Sequence, residues 1–238
     1  MPKTLRLDPL FANRCPYFRV AVTTADLGHE VNGSYVLEQL RASESALQTR
    51  YPIDKIKERA AIAATRRAYK ALGKDPNRYR PAAEQLCRRV CSGQELYRIN
   101  PLVDLGNLIS MRTGFSIGVF DYEAVGEKIT LRRGTKEDAF EGIGRGTLNI
   151  EGLPTYTDEK GPFATPTSDH ERTKVGDETQ RALIFINDFG AETDPENECD
   201  RLGLAERDLR EALRCTFPLA RIRQVTYEEG INSSLTID

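Results

Sequence analysis

The sequence predicts an α+β domain, on three observations. Helical periodicity gathers in the first half of the chain, and extended segments rich in β-branched residues gather in the second. The two kinds do not alternate in the regular βαβ rhythm that builds a parallel sheet. No linker or internal repeat divides the 238 residues, so one domain over 1–238 is expected, with length enough for a substantial core.

The elements follow in order. Tyr17–Thr24 is aromatic and β-branched and reads as an early strand, with Asn32–Gly33 marking a turn or loop after it. Behind Pro52, the recurrence of Ile56, Ala60, Ala63, Ala64, Ala68 and Leu72 predicts a helix over Ile53–Leu72, stopped by Gly73. Pro81 suits the first turn of the next helix, Pro81–Val90, which Gly93 closes. Asn100 then caps a third helix with Pro101 at its first position, Leu102, Leu105 and Ile109 on its apolar side and Gly114 at its end. Ser116–Tyr122 and Lys128–Arg133 read as two strands joined by a turn, and the glycine-rich Glu141–Gly146 leads into a strand at Thr147–Ile150. Leu153–Asp177 reads as a polar loop and Arg181–Asp188 as a buried strand. Beyond an acidic loop, Ala191–Asp200, come an amphipathic helix, Leu204–Phe217, and a polar tail, Gly230–Asp238.

Composition narrows the function classes. With 34 basic against 36 acidic residues the net charge is −2, which gives no overall attraction to nucleic acid; any such affinity needs a local patch. No apolar run suits a signal peptide or a membrane span. Five cysteines at irregular spacing argue for a reducing compartment, so a cytoplasmic protein without a membrane partner is expected. Cys87 and Cys91 stand i, i+4, but there are only two histidines and no second cysteine pair, so neither a metal nor a cofactor is expected.

Four segments carry candidate chemistry. Asp104, Asn107 and Ser110 recur at i, i+3, i+6 along the third helix, and Asp121 ends the following strand. Together they could grip an amino group, a hydroxyl or a ribose; the same pattern fits a solvated helix face. Glu141 with Gly142, Gly144 and Gly146 offers a close backbone approach, or a plain turn. The loop Gly161–Val175 holds Thr165, Thr167, Ser168, Asp169, His170, Arg172 and Thr173; adjacent Ser, Asp and His do not by themselves make a triad. The stretch Arg66–Arg80 carries Arg66, Arg67, Lys70, Lys74, Arg78 and Arg80 between Tyr69 and Tyr79, which suits phosphates and bases, or a solvated surface.

At Asn100–Asp121, NPLVDLGNLISMRTGFSIGVFD, the sequence resembles the B3/4 domain of the bacterial phenylalanyl-tRNA synthetase beta chain. It is more similar still to free-standing proteins made of that domain alone. Asn100, Val103, Asp104, Asn107, Gly114, Phe120 and Asp121 carry the likeness, which extends over roughly Ile56 to Asp188. The resemblance implies a B3/4 editing-domain fold, a tRNA with an aminoacylated 3′ end as partner, association with a synthetase, and hydrolysis of mischarged aminoacyl-tRNA in trans without ligase activity. It places Asn107, Asp104 and Asp121 at the reaction, and Asn100, Ser110, Gly118, Glu141, Ser168, Asp169, Arg172 and Thr173 around the substrate. The phosphate chain would run along Arg66, Arg67, Lys70, Lys74, Arg78 and Arg80. Gly118 stands at the family's histidine position and Ser116 at its proline position, so a histidine-dependent step does not transfer. The alternatives are a non-catalytic tRNA- or aminoacyl-binding module and a small-molecule amino-acid binder.

Overall fold

Apolar side chains at consecutive positions of a strand require cover on both of its faces, and Arg181–Asp188 receives it. The computed structural model describes residues 2–191, 200–228 and 234–238. In it, Arg181–Asp188 (β9) lies inside an antiparallel four-stranded sheet with Arg221–Glu228 (β10), Arg19–Asp26 (β2) and Ser116–Asp121 (β3), in the order β10-β2-β9-β3. Ala182, Ile184 and Ile186 pack into a core shared with the helices Gly33–Arg50 (α2), Ala82–Cys91 (α4), Pro101–Thr113 (α5) and Arg201–Thr216 (α6). Leu183 and Phe185 enter a second core with a five-stranded sheet. That sheet runs Leu235–Ile237 (β11), Lys3–Leu7 (β1), Lys128–Arg133 (β4), Pro154–Asp158 (β7) and Gly161–Ala164 (β8), with only β1 and β4 parallel. Each fully buried Leu, Ile or Phe contributes about 1.5–3 kcal/mol, so these two cores fix β9 and its neighbours as the rigid frame. A third, small cluster of Tyr69, Phe140, Ile150 and Leu153 ties Ala60–Ala71 (α3) to the segments before β7.

The element carrying the resemblance folds as its sequence dictates. Asn100 Oδ1 accepts from the N–H groups of Leu102 (3.1 Å) and Val103 (2.9 Å), and Gly114 closes α5 at φ 85°. A Cβ on Gly106 would meet Val119 Cγ2 at 2.6 Å, so this glycine sets how closely α5 lies on β3.

Other expectations are corrected. Ile53–Leu72 is two elements, a 3-10 turn at Ile53–Glu58 and α3, because Arg59 turns extended (φ −58°, ψ 132°). Its guanidinium then reaches the carbonyls of Met111 (2.8 Å) and Arg112 (2.7 Å) at the end of α5. Asn32–Gly33 opens the 18-residue α2 instead of a loop. Lys3–Leu7, Pro9–Arg14 (α1) and β10 carry structure the sequence did not announce. Thr147–Ile150 contributes only to the two-residue strand Gly146–Thr147 (β6), paired with Glu141–Gly142 (β5). The supposed loop Leu153–Asp177 contains the hairpin β7–β8 and a 3-10 turn at Glu171–Thr173. In the supposed tail, Leu235–Ile237 pairs with β1, while 229–233, like most of the acidic loop, lie outside the described residues. Among the described residues no helix is long and apolar enough to cross a membrane.

Candidate functional site

The segment after β8 folds back on itself before it can run on. Thr165 Oγ1 accepts from the N–H groups of Thr167 (3.2 Å) and Ser168 (3.0 Å), the side-chain-to-backbone bonding that makes a Thr a turn former. Thr165 N–H donates to Ser168 O (3.0 Å) and His170 N–H to Phe163 O (2.9 Å), so Asp169 is bridged antiparallel to Ala164. Two helices clamp this turn: Tyr69 of α3 shares a 2.8 Å hydrogen bond with the Thr167 hydroxyl, and Ala82 N–H at the start of α4 donates to Pro166 O (2.7 Å).

The turn roofs a small cavity of about 30 Å³. Its polar lining comes from Ser116 on β3, Asn187 on β9, Tyr156 on β7, and Ser168 and Asp169 on the turn. Phe120 and Phe185 supply apolar wall. Strand pairing sets Ser116 opposite Asn187, whose Nδ2 donates to Ser116 O (3.0 Å) and whose Oδ1 accepts from the Tyr156 hydroxyl (2.6 Å). Two groups remain unspent. The Ser116 hydroxyl, in a residue 1% exposed, has no hydrogen-bond partner among the described residues. The Asp169 carboxyl has no ion pair among the described residues, and burial alone pushes its pKa up to about 8. A cavity of this size admits water, not an adenosine.

A second, outer cavity of about 240 Å³ shares Thr165 and Ser168 with the first. Arg78, Arg80 and Arg145 line it with Tyr79, Leu148, Ile150 and Leu153; among the described residues no acidic side chain lines it, although Glu84 stands 3.8 Å from Arg80 Nε. The pair is thus a basic, partly apolar mouth over a small polar chamber. Nothing in that donor set suits a metal, and no cluster of three or more metal-ligating side chains occurs among the described residues.

Of the residues singled out in the sequence, Ser116, Gly118, Thr165, Ser168 and Asp169 line the inner chamber, and Arg78, Tyr79, Arg80, Thr165, Thr167 and Ser168 the outer one. Most of the others make bonds within the fold. Asp104, its pKa raised by burial, accepts from Ile99 N–H (3.1 Å), Asn100 is the helix cap, and Ser110 donates to Phe115 O (2.7 Å). Asn107, half-buried on the same helix, lines neither cavity. Asp121 accepts from Glu123 N–H (2.9 Å) and the Thr179 hydroxyl (2.8 Å). The helix is largely enclosed between core and sheet; Asn100, Asp104 and Ser110 serve its ends, while Arg112 reaches Ser43 and Gln39 on α2 and Asp208 on α6. Glu141 accepts from Thr147 Oγ1 (3.2 Å), and Thr173 donates to His170 O (3.4 Å). Arg172 forms a bidentate pair with Asp158 (2.7 and 3.0 Å). The glycines at 142–146 form a tight hairpin with φ 64° at Gly144 and 68° at Gly146; a Cβ on Gly142 would press on Leu148 and on Ser168 Oγ.

The basic run is split. Arg66 is held by Glu84 (2.8 Å), Asn77 (2.6 Å) and Pro76 O (3.0 Å), and Arg67 reaches Gly190 O (3.1 Å). Lys74 is buried, its pKa lowered by that burial, with its ammonium on Asn149 O (3.0 Å) and Glu151 O (2.7 Å) and 3.7 Å from the Tyr79 ring centre. Lys70 is exposed on another cleft. Sequence reasoning passed over Asn187, Tyr156 and Arg145. The one available signal was Asn187, a polar side chain inside an otherwise apolar strand.

Gly118 is constrained for a local reason. A Cβ there would collide with the Phe120 ring, which lies over the glycine two residues back and packs edge-on to Phe163, with ring centres 5.3 Å apart. Gly118→Ala is therefore expected to cost about 1–3 kcal/mol, read as a lower midpoint in urea unfolding. Gly118→His would cost more and could not restore a histidine to the chamber without expelling Phe120.

No curated protein matches the chain. An N-terminal fragment of the phenylalanyl-tRNA synthetase beta-subunit from Pyrococcus horikoshii aligns over 94% of this chain and 54% of its own length, at 14% identity and a TM-score of 0.46. This chain thus spans about half of that one. The B3/4 domain family matches residues 64–198, which contain α4, α5, the turn at 165–169 and every residue lining the two cavities. On that match, covering more than half of its length, the chain belongs to the B3/4 domain family.

Proposed function

We propose that the chain binds the aminoacylated 3′ end of a tRNA and hydrolyses mischarged aminoacyl-tRNA in trans. The observation that carries this reading is the Asp169 carboxyl, without a partner among the described residues, on a water-sized chamber that also holds the likewise unpartnered Ser116 hydroxyl and shares Ser168 with a basic mouth. Membership of the B3/4 family supports it.

An aminoacyl ester is an activated acyl group, so its hydrolysis needs a placed water, a base and a donor for the oxyanion. In this reading Arg78, Arg80 and Arg145 neutralise the terminal phosphate, and Tyr79 with Leu148 and Ile150 takes the apolar parts of the nucleotide or amino acid. The ester carbonyl sits at the wall shared by the two cavities, where Ser168 Oγ donates to the developing oxyanion. Ser116 Oγ holds the water, and Asp169, in its ionised form, takes the proton as the water oxygen bonds to the carbonyl carbon. The ester C–O bond then breaks, and the ribose oxygen recovers that proton. Exclusion of bulk water from the chamber strengthens each of these contacts.

A panel of tRNAs charged with non-cognate amino acids tests the reading. At least one is expected to lose its amino acid well above the spontaneous rate when the protein is added. Decay of every ester at its uncatalysed rate overturns hydrolysis; salt-sensitive tRNA binding without release would leave a binding module in its place.

A further inference from the structure

Below the C-terminal end of α3 lies a cleft of about 670 Å³, lined by Arg14, Lys70, Arg132 and Arg133 together with Asp8 and the exposed Leu10. The acidic Asp8 in its lining and Asp138 beside Arg132 are already engaged. Asp8 caps α1 by accepting from Leu10 and Phe11 N–H (3.0 and 3.2 Å), and Asp138 chelates Arg132 (2.6 and 2.8 Å). Arg14, Lys70 and Arg133 have no carboxylate partner among the described residues. Arg14 Nη1 donates to Ala71 O (3.2 Å) and Arg133 Nε to Leu72 O (2.7 Å), where the carbonyl end of a helix attracts cations. Those bonds aim the two guanidinium groups and use only part of their donors. Lys70, exposed, bonds to nothing described.

The cleft adjoins the candidate site. A Cβ on Gly152 would lie 3.4 Å from Leu72 O and 3.6 Å from Arg133 Nη2, and Lys74, next to Gly73 in the cleft wall, is fastened to Asn149 O and Glu151 O. Asn149, Ile150 and Leu153 line the outer cavity. One close backbone crossing therefore separates three unneutralised cations from the basic mouth.

We propose that this cleft binds the phosphodiester backbone of the single-stranded RNA segment leading into the mouth, with Arg14, Lys70 and Arg133 on successive phosphates and Leu10 against a base. The inference rests on the proposed function for the identity of the RNA end. Its support is the charge complementarity of the cleft and its continuity with the mouth. Each phosphate neutralised on a single strand adds about −0.7 to the slope of log K against log salt.

The test measures binding of a labelled single-stranded RNA by anisotropy over a salt series, with wild type and the double variant Arg14→Gln, Lys70→Glu. The variant is expected to bind at least tenfold more weakly at low salt, with a slope shallower by about 1.4 for the two contacts removed. Unchanged affinity and slope overturn the cleft assignment, as does equal competition by polyglutamate, which would make the cleft a docking place for acidic peptide. Should the variant misfold by circular dichroism, Lys70→Ala alone, which breaks no bond of the fold, supplies the same comparison with a slope change of about 0.7. Hydrolysis of an aminoacyl-adenosine by wild type, an ester with no phosphodiester, reports on the catalytic reading separately. Release of that ester with unchanged RNA binding sinks only the cleft; weakened RNA binding without release sinks only the hydrolysis.

Discussion

Asp169→Asn is expected to abolish the protein-dependent part of ester hydrolysis while making the fold more stable at alkaline pH. A positioned general base contributes typically about 10²- to 10⁴-fold to rate, and an amide of the same shape cannot accept the proton. Burial holds the Asp169 carboxyl at about 8 against an ordinary 3.8, so at neutral pH most molecules carry it protonated. Hydrolysis by the wild-type protein, after subtraction of the spontaneous rate, should therefore climb with pH and level off above about 8. The stability effect runs the other way. Because the folded state holds this proton more tightly than the unfolded chain, the fold loses stability as pH rises from about 4 to about 8, and loses no more beyond. Asn carries no such titration. Thermal melts at pH 5 and pH 9 should show a wild-type midpoint that drops and an Asp169→Asn midpoint that moves less. A variant that keeps wild-type hydrolysis, or melts with the wild-type pH dependence, removes Asp169 from the mechanism.

Arg172→Ala should be the most damaging single change near the site. Asp158 has a side chain with 0% exposure. Burial by itself raises its pKa, but hydrogen bonds from Arg172 and from the N–H groups of Gly126 and Lys160 outweigh that and hold it below the usual carboxylate range. Arg172 also donates to Gly161 O (2.8 Å), so one guanidinium joins the segment after Asp169 to both ends of the β7–β8 turn. Removing one member of a buried ion pair costs about 3–5 kcal/mol. The low end is expected here because two backbone donors remain on Asp158 and the arginine is partly exposed. Arg172→Lys should recover little, since an ammonium cannot reproduce the bidentate geometry. The depressed Asp158 pKa fixes the sign with pH: its contribution is present above the unfolded carboxylate value and disappears as pH falls through the folded value. Urea midpoints at neutral and acidic pH test this. A difference between wild type and Arg172→Ala that does not shrink on acidification would place the damage elsewhere.

These two residues show why a site can be half legible. Asp169 and Arg172 stand three apart in one polar loop, and the sequence marks both as candidates for substrate contact. Nothing in the chain order tells which carboxyl finds a cation and which is left alone. Asp158 meets Arg172 across a hairpin that the density of Pro, Gly and Thr concealed, so the arginine became scaffold and Asp169 stayed unpaired. Asp104 went the opposite way. Its spacing on α5 looked like a pocket lining, but the helix is enclosed and its carboxylate accepts the Ile99 N–H just ahead of it.

Where chemistry is local, the sequence decided the outcome by itself. The Asn100 cap, Pro101, the closing Gly114, the doubly covered strand Arg181–Asp188 and the amphipathic α6 all follow from bonds or burial within a few residues. Even so, one local signal is ambiguous by nature: Asn32, whose side chain accepts from Tyr35 N–H (3.4 Å), makes the same bond in a turn as at the start of a helix, so α2 stayed hidden behind a turn reading. Tertiary structure alone decided the pairing of Asn187 with Ser116 and Tyr156, the roof built by the turn at 165–169, and the division of six basic side chains between scaffold and surface. Those outcomes depend on which distant strands and helices meet, and charge and hydrogen-bond satisfaction are settled only by the neighbours a side chain acquires on folding.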